Sequence, residues 1–378
     1  MKIALFGGTF NPPHNEHILM GKKLLASGYD RVIFAPNGIP PHKACGMSFD
    51  HRLEMTRLAI AGESNMQVCD IERNFQGNNY SYLMIPHYQE LFGQFDFVIG
   101  GDSLIDLHLW KNPDIVVGLV PLVVFNRGNR QAEFEQAKRY WEDRGARIRV
   151  IDYLPADISS TEIRFEARLG LVRNVAKPVQ EYIESHSLYA DQSLLQGAKL
   201  SAELADKLTT YIHGHRYLHT LSTTYYALYL NKVCHLGLDT HKILLAGMLH
   251  DCAKGGANIQ DPTIPTDSIN TPVWHQFAGY VRAKNEFCIT DDEVLDAIRY
   301  HTTAKPDMST LSRLICMADM LEETRDYPQV VELRRIAESN FDQGFVSSIQ
   351  YQHQYLTTKN TPIYPLTQQA VDYYTKRS

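Results

Sequence analysis

Lys2-Ile3-Ala4-Leu5-Phe6-Gly7-Gly8-Thr9-Phe10-Asn11-Pro12-Pro13-His14-Asn15-Glu16-His17 stands near the start of the sequence. Its first five residues, Lys2 followed by four apolar ones, form a run of strand length that stops at two glycines. A glycine pair lets the backbone approach a phosphate closely, and a helix that follows aims its free N–H groups at an anion. His14 and His17, three apart, share a face at the start of that helix. Two imidazoles there can steady charge building on a transferring phosphoryl group. Alone, the same pattern also describes a tight turn with surface histidines, so the rest of the chain has to decide.

Outward from this stretch, runs at 31–35, 66–70, 95–99, 121–125 and 147–151 read as further strands. Stretches 15–27, 50–61, 80–92 and 132–145 carry helix-spaced apolar residues between them. The alternation predicts an α/β domain over residues 1–190 with a mostly parallel sheet, whose ligands sit beyond the carboxyl ends of the strands. Beyond about residue 197 the strand signals stop. Segments 199–213, 216–236, 240–253, 274–287, 290–301, 309–324, 328–349 and 364–376 all favour helix, which predicts an all-α domain over 198–378. Residues 190–197 read as a short hinge or as the continuation of a helix. Residues 255–272, with Gly255, Gly256, Pro262, Pro265 and Pro272, read as a long loop inside the second domain.

The 378 residues suit two domains, and 44% hydrophobic with 21% charged residues is the composition of a folded soluble protein. A net charge of −6 without a long basic run argues against nucleic acid or a membrane surface as partner. The longest apolar stretch, 115–125, contains Pro121 and is too short to span a bilayer. The run at 2–6 meets Gly7 too early for a signal peptide, so the expected compartment is the cytoplasm. Six scattered cysteines without a Cys-x-x-Cys pair argue against structural zinc and a disulfide framework. The sixteen histidines are more informative.

A second phosphate-shaped motif, Ile158-Ser159-Ser160-Thr161-Glu162-Ile163-Arg164, follows the last strand run. Ser159 with Glu162 is a capping box. Ser160, Thr161 and Arg164 add two hydroxyls and a guanidinium at a positive helix end. With Pro36-Asn37-Gly38-Ile39-Pro40-Pro41-His42-Lys43, Ile99-Gly100-Gly101-Asp102 and Trp110, the first half resembles a bacterial nicotinate-nucleotide adenylyltransferase of the Rossmann-like nucleotidyltransferase superfamily. The resemblance implies attack by a mononucleotide phosphate on the α-phosphorus of Mg²⁺-bound ATP, with release of pyrophosphate. It implies that Gly7, Gly8, Thr9 and Phe10 form the nucleotide loop and that His14 and His17 face the phosphates, His17 as main transition-state stabiliser. Ser160, Thr161 and Arg164 would hold the triphosphate, Lys43 would add charge, and Asp102 would contact ribose or its loop. Trp110 would stack on the pyridine ring with Ser81 near its carboxylate. Three departures stand out: Glu16 where the family has glycine, Asn11 for aspartate, and Leu83-Met84 for Asp-Thr. A carboxylate at 16 repels polyphosphate unless it points away or binds Mg²⁺.

In the second half, His215-Arg216-Tyr217-Leu218-His219, His250-Asp251, Trp274-His275, Arg299-Tyr300-His301 and Met317-Ala318-Asp319 put a ligand candidate on successive helices. Imidazole and carboxylate together suit Fe, Mn, Zn or Mg. This half resembles the HD-domain superfamily, specifically the YqeK-type hydrolases that split diadenosine tetraphosphate into two ADP. The resemblance implies a di-metal centre, with iron foremost among the candidate metals. His219, His250, Asp251 and Asp319 would hold one ion, and His275 and His301 a second, with Asp251 bridging. Lys254 would meet substrate phosphate, Arg216 less directly, and Ala304 stands where many relatives have glycine.

The expectation is a bifunctional enzyme acting on ATP, nicotinate mononucleotide and diadenosine tetraphosphate. Two alternatives stay open: another phosphorylated acceptor such as nicotinamide mononucleotide, or a nucleotide-binding sensor with one half inactive. Oligomeric state is open as well, a homo-oligomer included.

Overall fold

The computed structural model describes residues 1–38, 46–75, 77–126, 128, 130–156, 158–256 and 259–377. Lys43 therefore lies outside the described residues. The chain divides into two compact units, one made of 1–164 with 172–188 and the other of 165–171 with 189–378.

The first unit runs β1 (Ile3–Gly8), α1 (Asn15–Ala26), β2 (Arg31–Pro36), α2 (Phe49–Ile60), β3 (Met66–Val68), α3 (Ser81–Phe92) and β4 (Asp96–Gly100). It continues with α4 (Gly101–Ile105), α5 (Pro113–Leu119), β5 (Leu122–Phe125), α6 (Gln131–Glu142), β6 (Ile148–Val150), the start of α7 (Ser160–Arg168), whose residues from 165 belong to the second unit, and α8 (Lys177–Ser185). The strands form a parallel sheet in the order β3-β2-β1-β4-β5-β6. Along β1, Ile3 and Leu5 enter the core on one face of the sheet while Ala4 and Phe6 enter the core on the other. Both faces are thus covered, which is why the run at 3–6 is apolar without alternation. The strand order reverses between β1 and β4, so the chain leaves their carboxyl ends in opposite directions and opens a crevice there.

The apolar stretch 115–125 is two elements. Asn112, at φ 52°, and Pro113 start α5, and Pro121, which no helix interior accommodates, separates it from β5.

The second unit is helical: α9 (Gln192–Leu195), α10 (Ala202–Thr209), α11 (His215–Val233), α12 (Thr240–Leu249), α13 (Trp274–Asn285), α14 (Asp292–Tyr300), α15 (Thr310–Leu321), α16 (Val330–Ser339), α17 (Phe341–Thr358) and α18 (Pro365–Thr375). The hinge expected at 190–197 contains α9, whose Leu194 and Leu195 are buried in this unit's core together with Phe165 and Leu169. The single helix expected over 328–349 is two. Asn340 leaves helical geometry at φ −153°, and its side chain accepts the Gln343 N–H to cap α17. The two helices cross so closely that a Cβ at Gly344 would lie 2.4 Å from the Ala337 Cα. At the middle of the bundle α12 passes α11 just as tightly, for a Cβ at Gly247 would lie 2.6 Å from the Thr224 hydroxyl.

Candidate nucleotide cleft and candidate metal centre

The crevice at the ends of β1 and β4 is a cleft of about 310 Å³ lined by Gly7, Gly8, Thr9, Ser81 and Trp110, together with Asn37 and Lys111. Phe10 does not face it. Its ring is buried at φ 47°, packed on Phe6 and Phe34, with its centroid 5.1 Å from that of the His17 ring. Phe10 therefore supports His17 from below. His14 is the N-cap of α1, and its ring stacks on that of His17 at 3.6 Å, with the His14 N–H donating to His17 Nδ1. The free N–H groups and dipole of α1 are focused at this pair.

The second motif meets the first. The Ser160 hydroxyl donates to the Pro12 carbonyl at 2.8 Å and the Arg164 guanidinium to the Asn11 carbonyl at 2.7 Å. A further guanidinium N–H of Arg164 donates to the Thr161 hydroxyl at 3.1 Å, and the Glu162 N–H to Ser159 Oγ at 3.1 Å. Asp102 lies exposed in the first turn of α4, directly after β4. Glu16 is buried, and its carboxylate accepts the Tyr153 hydroxyl at 2.6 Å. Burial and this carboxylate push the Tyr153 hydroxyl up to about 12.

In the second unit, four histidines and two aspartates come together from α11 to α15. The two oxygens of Asp251 are divided. Its Oδ2 lies 3.8 Å from His219 Nε2 and 3.7 Å from His250 Nε2, while its Oδ1 lies 3.3 Å from His275 Nε2 and 3.4 Å from His301 Nε2. Asp319 Oδ1 lies 2.9 Å from His219 Nε2 and 3.9 Å from His250 Nε2. Lys254 reaches Asp251 at 3.0 Å. Arg216 is exposed and donates to the Lys254 carbonyl.

Local backbone geometry sets the tautomers. Nδ1 of His250, His275 and His301 lies 2.7, 2.7 and 2.8 Å from the carbonyls of Gly247, Pro272 and Ile298. A carbonyl only accepts, so each Nδ1 carries the proton and each Nε2 presents a lone pair. The Nε2 lone pairs of His275 and His301 then face each other across 3.2 Å, with the Thr302 hydroxyl 3.0 and 2.9 Å away and able to donate to only one of them, and the buried His250 Nε2 has no hydrogen-bond partner among the described residues. A cation relieves such an arrangement. Burial pulls His250 down to about 4 and His275 to about 3, keeping both neutral. Burial alone would raise Asp251 and Asp319, but the facing histidines hold both well below the usual carboxylate range. His219 would be lowered by burial, yet its hydrogen bonds to Asp319 and Glu322 raise it to about 9. The neutral imidazoles of His250 and His275 with the ionised carboxylates of Asp251 and Asp319 form a donor set that fits a metal ion, and an ion bound there would displace the proton that His219 otherwise shares with Asp319 and Glu322.

Residues 5–166 match the cytidylyltransferase-like family model and residues 216–324 match the HD domain model. A Clostridium tetani protein named "Probable nicotinate-nucleotide adenylyltransferase" is 35% identical over 197 residues, covering 50% of this chain and 98% of the relative. The chain belongs to the nicotinate-nucleotide adenylyltransferase family. A Mycoplasma genitalium protein named "Probable nicotinate-nucleotide adenylyltransferase/Ap4A hydrolase" is 26% identical over 370 residues, covering 93% of this chain and 97% of the relative. Among solved structures, a predicted HD superfamily hydrolase involved in NAD metabolism from Clostridium acetobutylicum is 29% identical, with 47% of this chain and 97% of that chain covered and a TM-score of 0.41. This member of the family thus joins a nucleotidyltransferase domain to a helical HD domain, a metal-dependent type. No helix among the described residues is long and apolar enough to cross a membrane.

Sequence reasoning missed several residues that build these sites in the adenylyltransferase and HD units. Arg52, 1% exposed, donates to the carbonyls of Thr9 at 2.9 Å and Gly38 at 3.0 Å, so both loops bordering the cleft hang from one buried cation. Glu72, its carboxyl raised by burial, accepts the Gly38 N–H at 2.8 Å and the Tyr88 hydroxyl at 2.6 Å. Glu322 lies 3.0 Å from His219 Nδ1, completing a carboxylate–histidine pair behind a candidate ligand. Gln276 accepts the N–H groups of Thr302 and Thr303, both at 3.1 Å, and so fixes the turn after His301. Ala304 ends that turn at φ 56°, the left-handed region that glycine occupies at no steric cost. The signal for Glu322 was its i+3 spacing from Asp319; the others had none.

Proposed function

We propose that the chain is a bifunctional enzyme: it transfers AMP from ATP to nicotinate mononucleotide, giving deamido-NAD and pyrophosphate, and it hydrolyses diadenosine tetraphosphate to two ADP. The observation that carries the reading is the convergence of each motif set inside its own unit, supported by a relative named for both activities along 93% of the chain.

In the first unit a phosphate oxygen of the mononucleotide attacks the α-phosphorus of ATP as the bond to pyrophosphate breaks. No side chain forms a covalent bond, so positioning and charge neutralisation make up the catalysis. His17, steadied by His14 and Phe10, donates to the phosphates where charge develops. Ser160, Thr161 and Arg164, at the start of α7, hold the triphosphate, with Lys43 as added charge. Trp110 stacks on the pyridine ring, Ser81 meets its carboxylate, and Asp102 contacts the nucleotide sugar or its loop. ATP enters as its Mg²⁺ complex.

In the second unit His219, His250, Asp251 and Asp319 would hold one divalent ion and His275 and His301 a second, with Asp251 shared; iron is the leading choice, then Mn, Mg or Zn. Such a pair supplies Lewis acidity to a phosphate and activates water near neutral pH. Lys254 offers a point charge to the polyphosphate and holds Asp251 in place. Glu322 fixes the ring of His219. Against the sensor reading, which Glu16 favoured, stands the Glu16 carboxylate's bond to Tyr153. The test is direct: purified protein is assayed for pyrophosphate release from ATP plus nicotinate mononucleotide, and for ADP release from diadenosine tetraphosphate. Binding without either product would leave only the sensor.

A further inference from the structure

We propose that Glu16 and Tyr153 are a positioning pair that locks the first turn of α1, and with it His17, onto the chain entering the second phosphate motif; this rests on the adenylyltransferase reading. Glu16 lies between the N-cap His14 and His17, at the edge of a site for polyphosphate, yet it is 1% exposed. Successive helical residues diverge by about 100°, so a side chain at 16 need not share the direction of His17. The carboxylate turns to the Tyr153 hydroxyl, 137 positions away in sequence and 2.6 Å away in space.

Tyr153 is itself held. Its ring meets Phe125 edge to face at 6.2 Å, and Lys23, about two turns along α1 from Glu16, sits over the ring at 5.2 Å. The tyrosine thus lies along one face of α1, beyond the end of β6 and ahead of Ser159. Two further links between the motifs, Ser160 to Pro12 and Arg164 to Asn11, lie before His14. The Glu16–Tyr153 link lies after it. His14 is therefore bracketed on both sides, and His17 sits one residue beyond the second link. A hydroxyl donating to a buried carboxylate is a strong hydrogen bond, and breaking it leaves a buried charge unpaired. Donors fixed in advance at the place where charge develops stabilise a transition state better than donors that must be ordered first. Glycine at 16 would remove the anchor and loosen the first turn.

The test uses the full-length protein, with pyrophosphate release for kcat and KM and the ¹H–¹⁵N imidazole resonances of His17 as a readout independent of turnover. Glu16→Gly and Tyr153→Phe are each expected to lower kcat by ~10-fold while KM for ATP changes less than about twofold, and to move the His17 resonances. Glu16→Gln, which keeps an acceptor for the tyrosine, recovers most of the loss seen with glycine. A rise in kcat or a fall in KM for ATP in Glu16→Gly would overturn the proposal, because the carboxylate would then be facing the polyphosphate. Unchanged kcat and unchanged His17 resonances in Tyr153→Phe would also overturn it, and that variant decides alone if Glu16→Gly does not fold. Failure of the wild-type protein to release pyrophosphate would count against the adenylyltransferase reading instead, while the resonances would still decide the tether.

Discussion

Removing the His17 imidazole takes a prepositioned donor from the phosphates and leaves the sheet beneath untouched. Loss of one such donor costs on the order of 2.7–4 kcal/mol in the transition state, about 10²–10³ in kcat. His17→Ala is therefore expected to lose that much pyrophosphate release with an unchanged circular dichroism spectrum; unchanged turnover would contradict the assignment. Glu322 acts one bond further back. Replacing it by glutamine weakens the charge that orients His219, and metal affinity is expected to fall roughly 10–100-fold, read as metal retained after dialysis. Full retention would mean that Glu322 only packs. The histidines and aspartates were legible in the sequence because their chemistry is their own and their spacing followed the helices. Arg52 and Tyr153 were not, because each acquires its role from a partner 43 or 137 positions away that only the fold supplies, and for Glu322 the i+3 spacing from Asp319 did not reveal its bond to His219, 103 positions away.

At the scale of elements, the central strands β1, β2, β4 and β5 were readable because both faces of a parallel sheet are covered there and each is an apolar block between turns, while the edge strands β3 and β6 carry polar Gln67 and Arg149. Within the stretch 115–125 the strand at 121–125 was legible but α5 ahead of it was not, since an apolar run does not say whether it is strand or helix; Pro113 and Pro121 are the discriminating residues. The break at Asn340 escaped because an asparagine inside a helical pattern becomes a cap only once the chain turns there. On α3, burial and the neighbouring Glu72 hold the Tyr88 hydroxyl far above its ordinary value. A group whose pKa is raised on folding stabilises the native state below its unfolded pKa of ~10, and that contribution is lost as pH rises beyond it. Tyr88→Phe should thus flatten the loss of stability of the first unit above about pH 10, in a comparison of thermal midpoints at pH 8 and pH 11. Parallel curves for the two proteins would refute this.

For the whole molecule, periodicity alone put a boundary at 198, whereas the second unit also includes residues 165–171 and α9. Phe165, Leu169, Leu194 and Leu195 are buried in its core, and Glu166 accepts the Tyr217 hydroxyl at 2.6 Å. Each buried apolar side chain is worth about 1.5–3 kcal/mol, so losing four approaches the typical margin of about 5–15 kcal/mol. A fragment of 198–378 is expected to melt well below the corresponding transition of the full chain, or not to fold cooperatively; an equal midpoint would show the four side chains to be dispensable.

The central claim is that one chain carries two separate active sites, and Asp251→Asn in the full-length protein tests it most directly. The change removes the one carboxylate that faces both imidazole pairs and touches no residue of the nucleotide cleft. Adenylyl transfer and diadenosine tetraphosphate hydrolysis are measured on the same preparation, with bound metal. Wild-type pyrophosphate release is expected, with ADP release lost and metal lost with it. Hydrolysis that survives, or adenylyl transfer that disappears from a still-folded protein, would contradict the claim.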